Sequence, residues 1–224
     1  MRSEKRRTRN GRLSLLVSRF SLPGVICLIC GPALAAALED GRDAYHKGDY
    51  VTALRILRPL ADKGDPEAQV FIGMSYEFGD GIAKNAKEAL DWYRKSAEKG
   101  NADAAYNLGT MYEDGEGVAK SIPEAMKWFR MSAAKGDPLS QRELGTLYRD
   151  GAGVMRDPEQ AARWFRMATG KNDVPSMTAL GQMYLAGQGV MPDRKEAQDL
   201  LRRASELGDP DAKKIYDREF GTAK

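Results

Sequence analysis

Cysteine and histidine are nearly absent from this chain. Of its 224 residues two are Cys, Cys27 and Cys30, both within the first 35 residues, and one is His, His46. From residue 36 onward the chain cannot assemble a Cys/His zinc site, a catalytic Cys–His pair or a disulfide framework. A strong charge of one sign is also lacking. The 35 Lys/Arg and 32 Asp/Glu give +3, but residues 1–35 hold seven basic residues and one acid, so the remainder carries 28 basic and 31 acidic residues, net −3. That balance speaks against a basic nucleic-acid-binding body. At 42% hydrophobic and 30% charged residues the chain has a globular composition rather than that of bulk disorder. No segment alternates with the period of a β-strand.

One long apolar run is present. Residues 1–19 are basic and polar, Phe20 to Ala37 carries no charge, and Pro32 precedes Ala33-Leu34-Ala35. A basic start, an apolar centre and an A-x-A exit predict a secretory signal peptide over residues 1–35, cleaved after Ala35, with Ala37 as the second choice. The alternative is an uncleaved anchor, for which the run is short and is interrupted by Pro23, Gly24 and Pro32. Ile26 and Ile29 precede the two Cys where a lipidation signal needs a small residue, and Thr8, Arg9 and Asn10 follow Arg6-Arg7 where a twin-arginine signal needs apolar ones. The expected location is periplasmic or secreted.

The remainder repeats with a period of 36 residues: Asp65, Asn101, Asp137, Asp173 and Asp209 fall in one column. So do Gly73, Gly109, Gly145 and Gly181; Tyr76, Tyr112, Tyr148 and Tyr184; Ala89, Ala125, Ala161 and Ala197; and all three Trp, Trp92, Trp128 and Trp164. The lattice accounts for 16 of the 23 Gly, including the loop pairs that begin Gly79 and Gly81 and the column Gly64, Gly100, Gly136 and Gly208. Each copy reads as two helices. The first starts at an Asp or Asn N-cap, with Pro66, Pro138 and Pro210 at the first helical position. Its apolar face is Ala68, Ile72 and Tyr76, and Gly73 on it predicts close approach of a neighbouring helix. The second opens with a capping box (Asn85 and Glu88, Ser121 and Glu124, Asp157 and Gln160, Asp193 and Glu196) and carries the Trp on its apolar face. That position makes the Trp column core rather than a carbohydrate platform. The Tyr column is core too, with hydroxyls that need partners. The expected organisation is a leading hairpin over 39–64, with a shortened first helix at Gly41–Lys47; four repeats, 65–100, 101–136, 137–172 and 173–208; and a capping helix over 209–224. Asn172 replaces Gly at a left-handed cap, and Gly170 inside a second helix marks 170–173 as the loosest joint.

The segment Ala104-Ala105-Tyr106-Asn107-Leu108-Gly109-Thr110-Met111-Tyr112-Glu113-Asp114-Gly115-Glu116-Gly117-Val118, followed by Ala125 to Ala133, resembles the Sel-one-like repeat (SLR) family, a relative of the tetratricopeptide repeat. The resemblance covers 65–208 closely and 39–64 loosely; Leu200-Leu201 departs from the Trp–aromatic pair. It implies an all-α, right-handed α-solenoid whose concave side is lined by the first helices, and an adaptor or scaffold role in protein assembly, often in bacterial envelopes. Cysteine-rich secreted relatives are associated with β-lactam binding or hydrolysis; this body lacks their Cys pairs, so that activity does not carry over.

By resemblance to tetratricopeptide geometry, the concave-face candidates are Val70, Met74 and Glu77; Tyr106, Thr110 and Glu113; Arg142, Thr146 and Arg149; and Thr178, Gln182 and Leu185, flanked by Asn107 and Glu143. They vary while the scaffold columns stay fixed, as a binding surface requires and as an unconstrained surface also shows. Their charges order the groove from acidic, at Glu77 and Glu113, to basic, at Arg142 and Arg149. Such a groove suits an extended peptide or an acidic segment held by Arg. The alternative is pairing of Glu113 with Arg142 or Arg149 across neighbouring helices. Glu77 and Glu113 also form a carboxylate pair about 10 Å apart at helix-packing distance, but no nucleophile elbow, oxyanion loop or phosphate loop accompanies them. His46, beside a helix end, reads as a cap or a solvated residue. The expected function is a non-catalytic exported adaptor, scaffold or regulator that binds a protein of the envelope, with no cofactor, no metal, no nucleic acid and no membrane span after cleavage. The alternatives are a hydrolase of peptidoglycan or β-lactams and a polysaccharide-binding envelope module, for which Tyr106 is the one aromatic on the groove columns.

Overall fold

The structure, a computed structural model, describes residues 30–221, with side chains from residue 33. Residues 1–29 of the expected leader lie outside the described residues. Among the described residues there are eleven helices and no strand. They are α1 (Cys30–His46), α2 (Tyr50–Asp62), α3 (Pro66–Phe78), α4 (Ala86–Ala97), α5 (Ala102–Asp114), α6 (Ile122–Ala134), α7 (Pro138–Asp150), α8 (Pro158–Thr169), α9 (Val174–Ala186), α10 (Arg194–Glu206) and α11 (Pro210–Phe220). Each helix packs on its neighbours in sequence, so the chain is an α-solenoid of helical hairpins whose odd-numbered helices are the first of each pair. The apolar core is a string of clusters along the stack rather than a single centre.

The caps follow the side chains. Asp65 accepts from the Ala68 N–H at 2.8 Å, and Asn101, Asp137, Asp173 and Asp209 repeat the bond at the starts of α5, α7, α9 and α11. Only half of each expected capping box forms. Asn85, Ser121, Asp157 and Asp193 accept from the N–H three residues on. Their own N–H groups, which the Glu or Gln was expected to bind, donate instead to the carbonyls of Tyr76, Tyr112, Tyr148 and Tyr184 at 2.7, 2.8, 2.9 and 3.2 Å. That bond ties the end of each first helix to the start of its second.

The helical glycines permit close contact, as their recurrence predicts. A Cβ on Gly73, Gly109, Gly145 or Gly181 would lie 2.6, 2.5, 2.7 or 2.8 Å from Tyr93, Phe129, Phe165 or Leu201. Alanine would gain about 1 kcal/mol of helix propensity there, but the fully buried side chain opposite contributes about 1.5–3 kcal/mol, and it takes the space. Trp92 and Trp128 are buried and Trp164 is half-buried in the same stripe, so the Trp column is core. Asn172 adopts the left-handed conformation, φ 63°, and its side-chain oxygen accepts from Arg203 at 3.3 Å. The shortened first helix expected at Gly41–Lys47 is corrected: among the described residues α1 already runs from Cys30 to His46, because alanine-rich sequence continues the helix upstream. In it Ala33 to Ala36 are exposed, whereas Ala37 and Leu38 pack on the first core cluster. No helix among the described residues is long and apolar enough to cross a membrane.

Candidate functional site

The side chains that vary between copies stand in three columns on the first helices, and the fold gives each column a different environment. The column Val70, Tyr106, Arg142 and Thr178 lies where one first helix meets the N-terminus of the next. Arg142 Nη1 bonds Asp173 Oδ1 at 2.7 Å, and the Thr178 hydroxyl donates to Asp209 at 2.6 Å, each 31 residues on at the following helix cap. Tyr106 is tilted against Phe129, with ring centroids 6.0 Å apart. Val70 is 7% exposed among Ala89, Leu90 and Ala104, and Thr178 is 8% exposed. Val70 is therefore corrected from a concave-face position to a core residue: the next hairpin covers it. Arg142 is engaged by Asp173 and, at 3.6 Å, by Glu143, and not by Glu113.

The column Met74, Thr110, Thr146 and Gln182 is half-buried in its first three members and exposed at Gln182. The Thr110 hydroxyl turns back to the Asn107 carbonyl at 2.8 Å. The third column, Glu77, Glu113, Arg149 and Leu185, is half-buried throughout. Burial pushes the Glu77 carboxyl above its ordinary value, opposed by the Tyr93 hydroxyl that donates to it at 2.5 Å. Burial also raises Glu113, with the nearby Glu143 charge adding to it, and raises Glu143 against the pull of Arg142. The middle of this face is thus a stretch of reluctantly ionised carboxylates that a cation would stabilise. Arg149 is gripped by Asp150 through two bonds, 2.7 and 3.0 Å, and its guanidinium stands 5.8 Å over Phe165.

Towards the C-terminus the same face opens into a groove of about 380 Å³ between α7, α9 and α11. Arg149, Thr178 and Gln182 line it together with Asp209, Lys214 and Arg218. Burial disfavours the charge on Asp209, but bonds from Thr178 and from the Ala212 and Asp211 N–H groups outweigh it and hold the carboxyl below its ordinary value. The α11 residues are a part of the site that the sequence reading left out. One more step of 36 leads from Thr178 to Lys214 and from Gln182 to Arg218, so the column arithmetic contains them once α11 is counted as a further first helix.

A second set was also missed. Arg58, Arg94, Arg130 and Arg166, again 36 apart, donate to the hydroxyls of Tyr76, Tyr112, Tyr148 and Tyr184 at 3.4, 3.1, 2.8 and 3.0 Å. These are the partners that the Tyr column requires. Among the described residues no group of three or more His, Cys, Asp or Glu could hold a metal ion.

Four consecutive segments, 66–101, 102–137, 138–173 and 174–209, match the Sel1 repeat family model. Among solved structures, a Sel1 repeat protein from Oxalobacter formigenes is 33% identical over 82% of this chain and 75% of its own, with a TM-score of 0.75. A protective antigen present in uropathogenic Escherichia coli strains and displaying an SLR fold is 28% identical over 84% of this chain, TM-score 0.79; the match spans 41% of that longer chain. A putative Sel1 repeat protein from Klebsiella pneumoniae, 19% identical over 83% of this chain and 92% of its own at a TM-score of 0.55, shares the fold. No curated protein matches the chain in sequence.

Proposed function

The chain belongs to the Sel1 repeat family, whose members typically mediate protein–protein interaction, and from that premise we propose that it is a non-catalytic adaptor that holds an acidic segment of a partner in the groove between α7, α9 and α11. The observation that carries this reading is the composition of that groove: Arg149, Lys214 and Arg218 converge on it from two helices, and Gln182 is exposed on the helix between them. Asp209 and Asp211 also line it; Asp209 is committed to capping α11 and to Thr178, while Arg149 and Arg218 each bond a neighbouring carboxylate, Asp150 and Glu219, and keep further guanidinium N–H groups for a ligand. Guanidinium forks and a Lys ammonium favour carboxylates, and a polar, half-open groove favours an extended main chain. The proposed setting is the periplasm or the exterior of a bacterial cell, with the chain processed after Ala35. Support comes from the basic-then-apolar start, the Ala33-Leu34-Ala35 exit and the burial pattern of α1, since that cleavage leaves the packed Ala37 and Leu38 in place.

The test is photocrosslinking in cells from position 182, read by mass spectrometry. One dominant protein adduct, lost when Arg149 and Arg218 are both changed to Glu, is the expected result. Arg142 is left unchanged, because its bond to Asp173 joins two repeats. An absence of any protein adduct from a chain that is made and exported would overturn the reading.

A further inference from the structure

The two sides of the stack carry opposite charge. Counted over their helical residues, α1, α3 and α5 carry −2, −2 and −3, whereas α7, α9 and α11 are each neutral. Every second helix, α2, α4, α6, α8 and α10, carries +1. The first-helix side is therefore acidic in its N-terminal half, and the second-helix side is basic along its length.

On each side the uncommitted charge gathers in one place. In the last turn of α5 Glu113 is half-buried and Asp114 exposed, and neither makes an ion pair among the described residues. Glu77, one repeat earlier than Glu113, accepts from the Tyr93 hydroxyl and likewise has no ion pair among the described residues. Between these carboxylates and the middle of their helices stand Met74 and Thr110, both half-buried. On the second helices the column Asp91, Lys127, Arg163 and Asp199 changes sign. Asp91 and Asp199 are paired within their own helices, with Arg94 at 3.3 Å and Arg202 at 3.5 Å. Lys127 reaches Glu124 at 3.5 Å and is still 64% exposed, and Arg163 is exposed with no hydrogen bond or ion pair among the described residues. Arg130 and Arg166 each spend one N–H on a Tyr hydroxyl and keep further donors. Glu124 and Glu159 are the acids of α6 and α8, so these two helices present four bases against two acids. One turn beyond Lys127 and Arg163 lie Met131, half-buried, and Met167, 50% exposed.

We propose that α6 and α8 of one copy of this chain dock on the first-helix side of α3 and α5 of a second copy. Lys127 and Arg163 face Glu113, Asp114 and Glu77, and Met131 and Met167 meet Met74 and Thr110 inside that charged rim. The occupant follows from charge. The chain's own acidic side is the complement of its basic side, whereas the net −3 from residue 36 onward disfavours an anionic lipid surface. The two patches differ, so the contact is heterologous: each copy in a pair keeps one patch unfilled, and association continues head to tail. The groove between α7, α9 and α11 lies outside both patches.

The test is sedimentation velocity of the full chain at about 100 µM, with two charge-reversed variants. Lys127→Glu/Arg163→Glu puts acids where α4 and α10 already hold Asp, and Glu113→Lys/Asp114→Lys puts bases at a helix C-terminus, so both keep the fold. The parent is expected to associate at low salt and to dissociate at about 0.5 M salt, where the screening length falls to a few Å. Each variant alone is expected to associate roughly tenfold more weakly or less. An equimolar mixture of the two is expected to regain association, because the reversed patches match each other. A parent that is monomeric at low salt, association indifferent to salt, a variant that associates as the parent does, or a mixture that stays monomeric would overturn the contact.

Discussion

The Arg94 guanidinium donates to the Tyr112 hydroxyl across 3.1 Å, joining the second helix of one hairpin to the first helix of the next. The pairs led by Arg58, Arg130 and Arg166 repeat this link with the same separation of 18 residues. Each Tyr acts at both ends: its hydroxyl receives the preceding hairpin and its carbonyl receives the cap of its own second helix. A single residue per copy thereby bonds both within its hairpin and to the preceding one.

The Arg–Tyr link is expected to contribute about 1 kcal/mol, since it is a charge-assisted bond that is partly solvated and that Arg94 shares with Asp91. A double-mutant cycle of Arg94→Ala and Tyr112→Phe, followed by urea unfolding, should give a coupling energy of that size. Strict additivity of the two substitutions would show that the geometry carries no stability.

Gly109→Ala is expected to destabilise the chain by about 1–2 kcal/mol, although it improves helix propensity. The new methyl would lie 2.5 Å from the Phe129 ring, which is buried and cannot retreat without opening its cluster. A raised unfolding midpoint would contradict the close-packing role assigned to this glycine column.

The Glu113 carboxyl is held above its ordinary value of 4.5, by burial first and then by Glu143. The folded chain therefore keeps this proton after the unfolded chain has released it. Stability contributed by the group is whole below 4.5, falls as pH rises through the raised folded value, and is absent above it. Glu113→Gln should consequently be more stable than the parent near neutrality and about equal to it near pH 4. Urea midpoints at the two pH values check the sign; a variant weaker than the parent near neutrality would refute it.

The hairpin architecture was legible in the sequence because caps, helical glycines and the Trp stripe are local requirements repeated at a constant interval. The α1 boundary was not, since the apolar, alanine-rich stretch that reads as a leader exit is also good helix sequence. The site was less legible than the fold. Val70 and Arg142 vary between copies as ligand-binding residues would, yet one is buried by the following hairpin and the other pairs with its helix cap; variation alone does not separate solvent-facing from neighbour-facing positions. The Arg ladder and the α11 residues obey the same 36-residue step as the scaffold and lacked only a partner column to read them against.

The ladder stops at the last junction. Arg202 would reach position 220, where Phe220 offers no hydroxyl, and it pairs with Asp199 and Glu206 instead. The α11 helix is held by Arg194, which lies 4.6 Å over the Phe220 ring and bonds the Glu219 carbonyl. Among the described helices α11 packs chiefly on α10, and a helix packed on one side opens at lower free energy than one held between two neighbours. That helix is one wall of the groove between α7, α9 and α11 and supplies Lys214 and Arg218 to it. Occupancy of the groove and opening of α11 are then opposed equilibria: a segment that binds must first find α11 docked, and once bound it holds α11 against the stack.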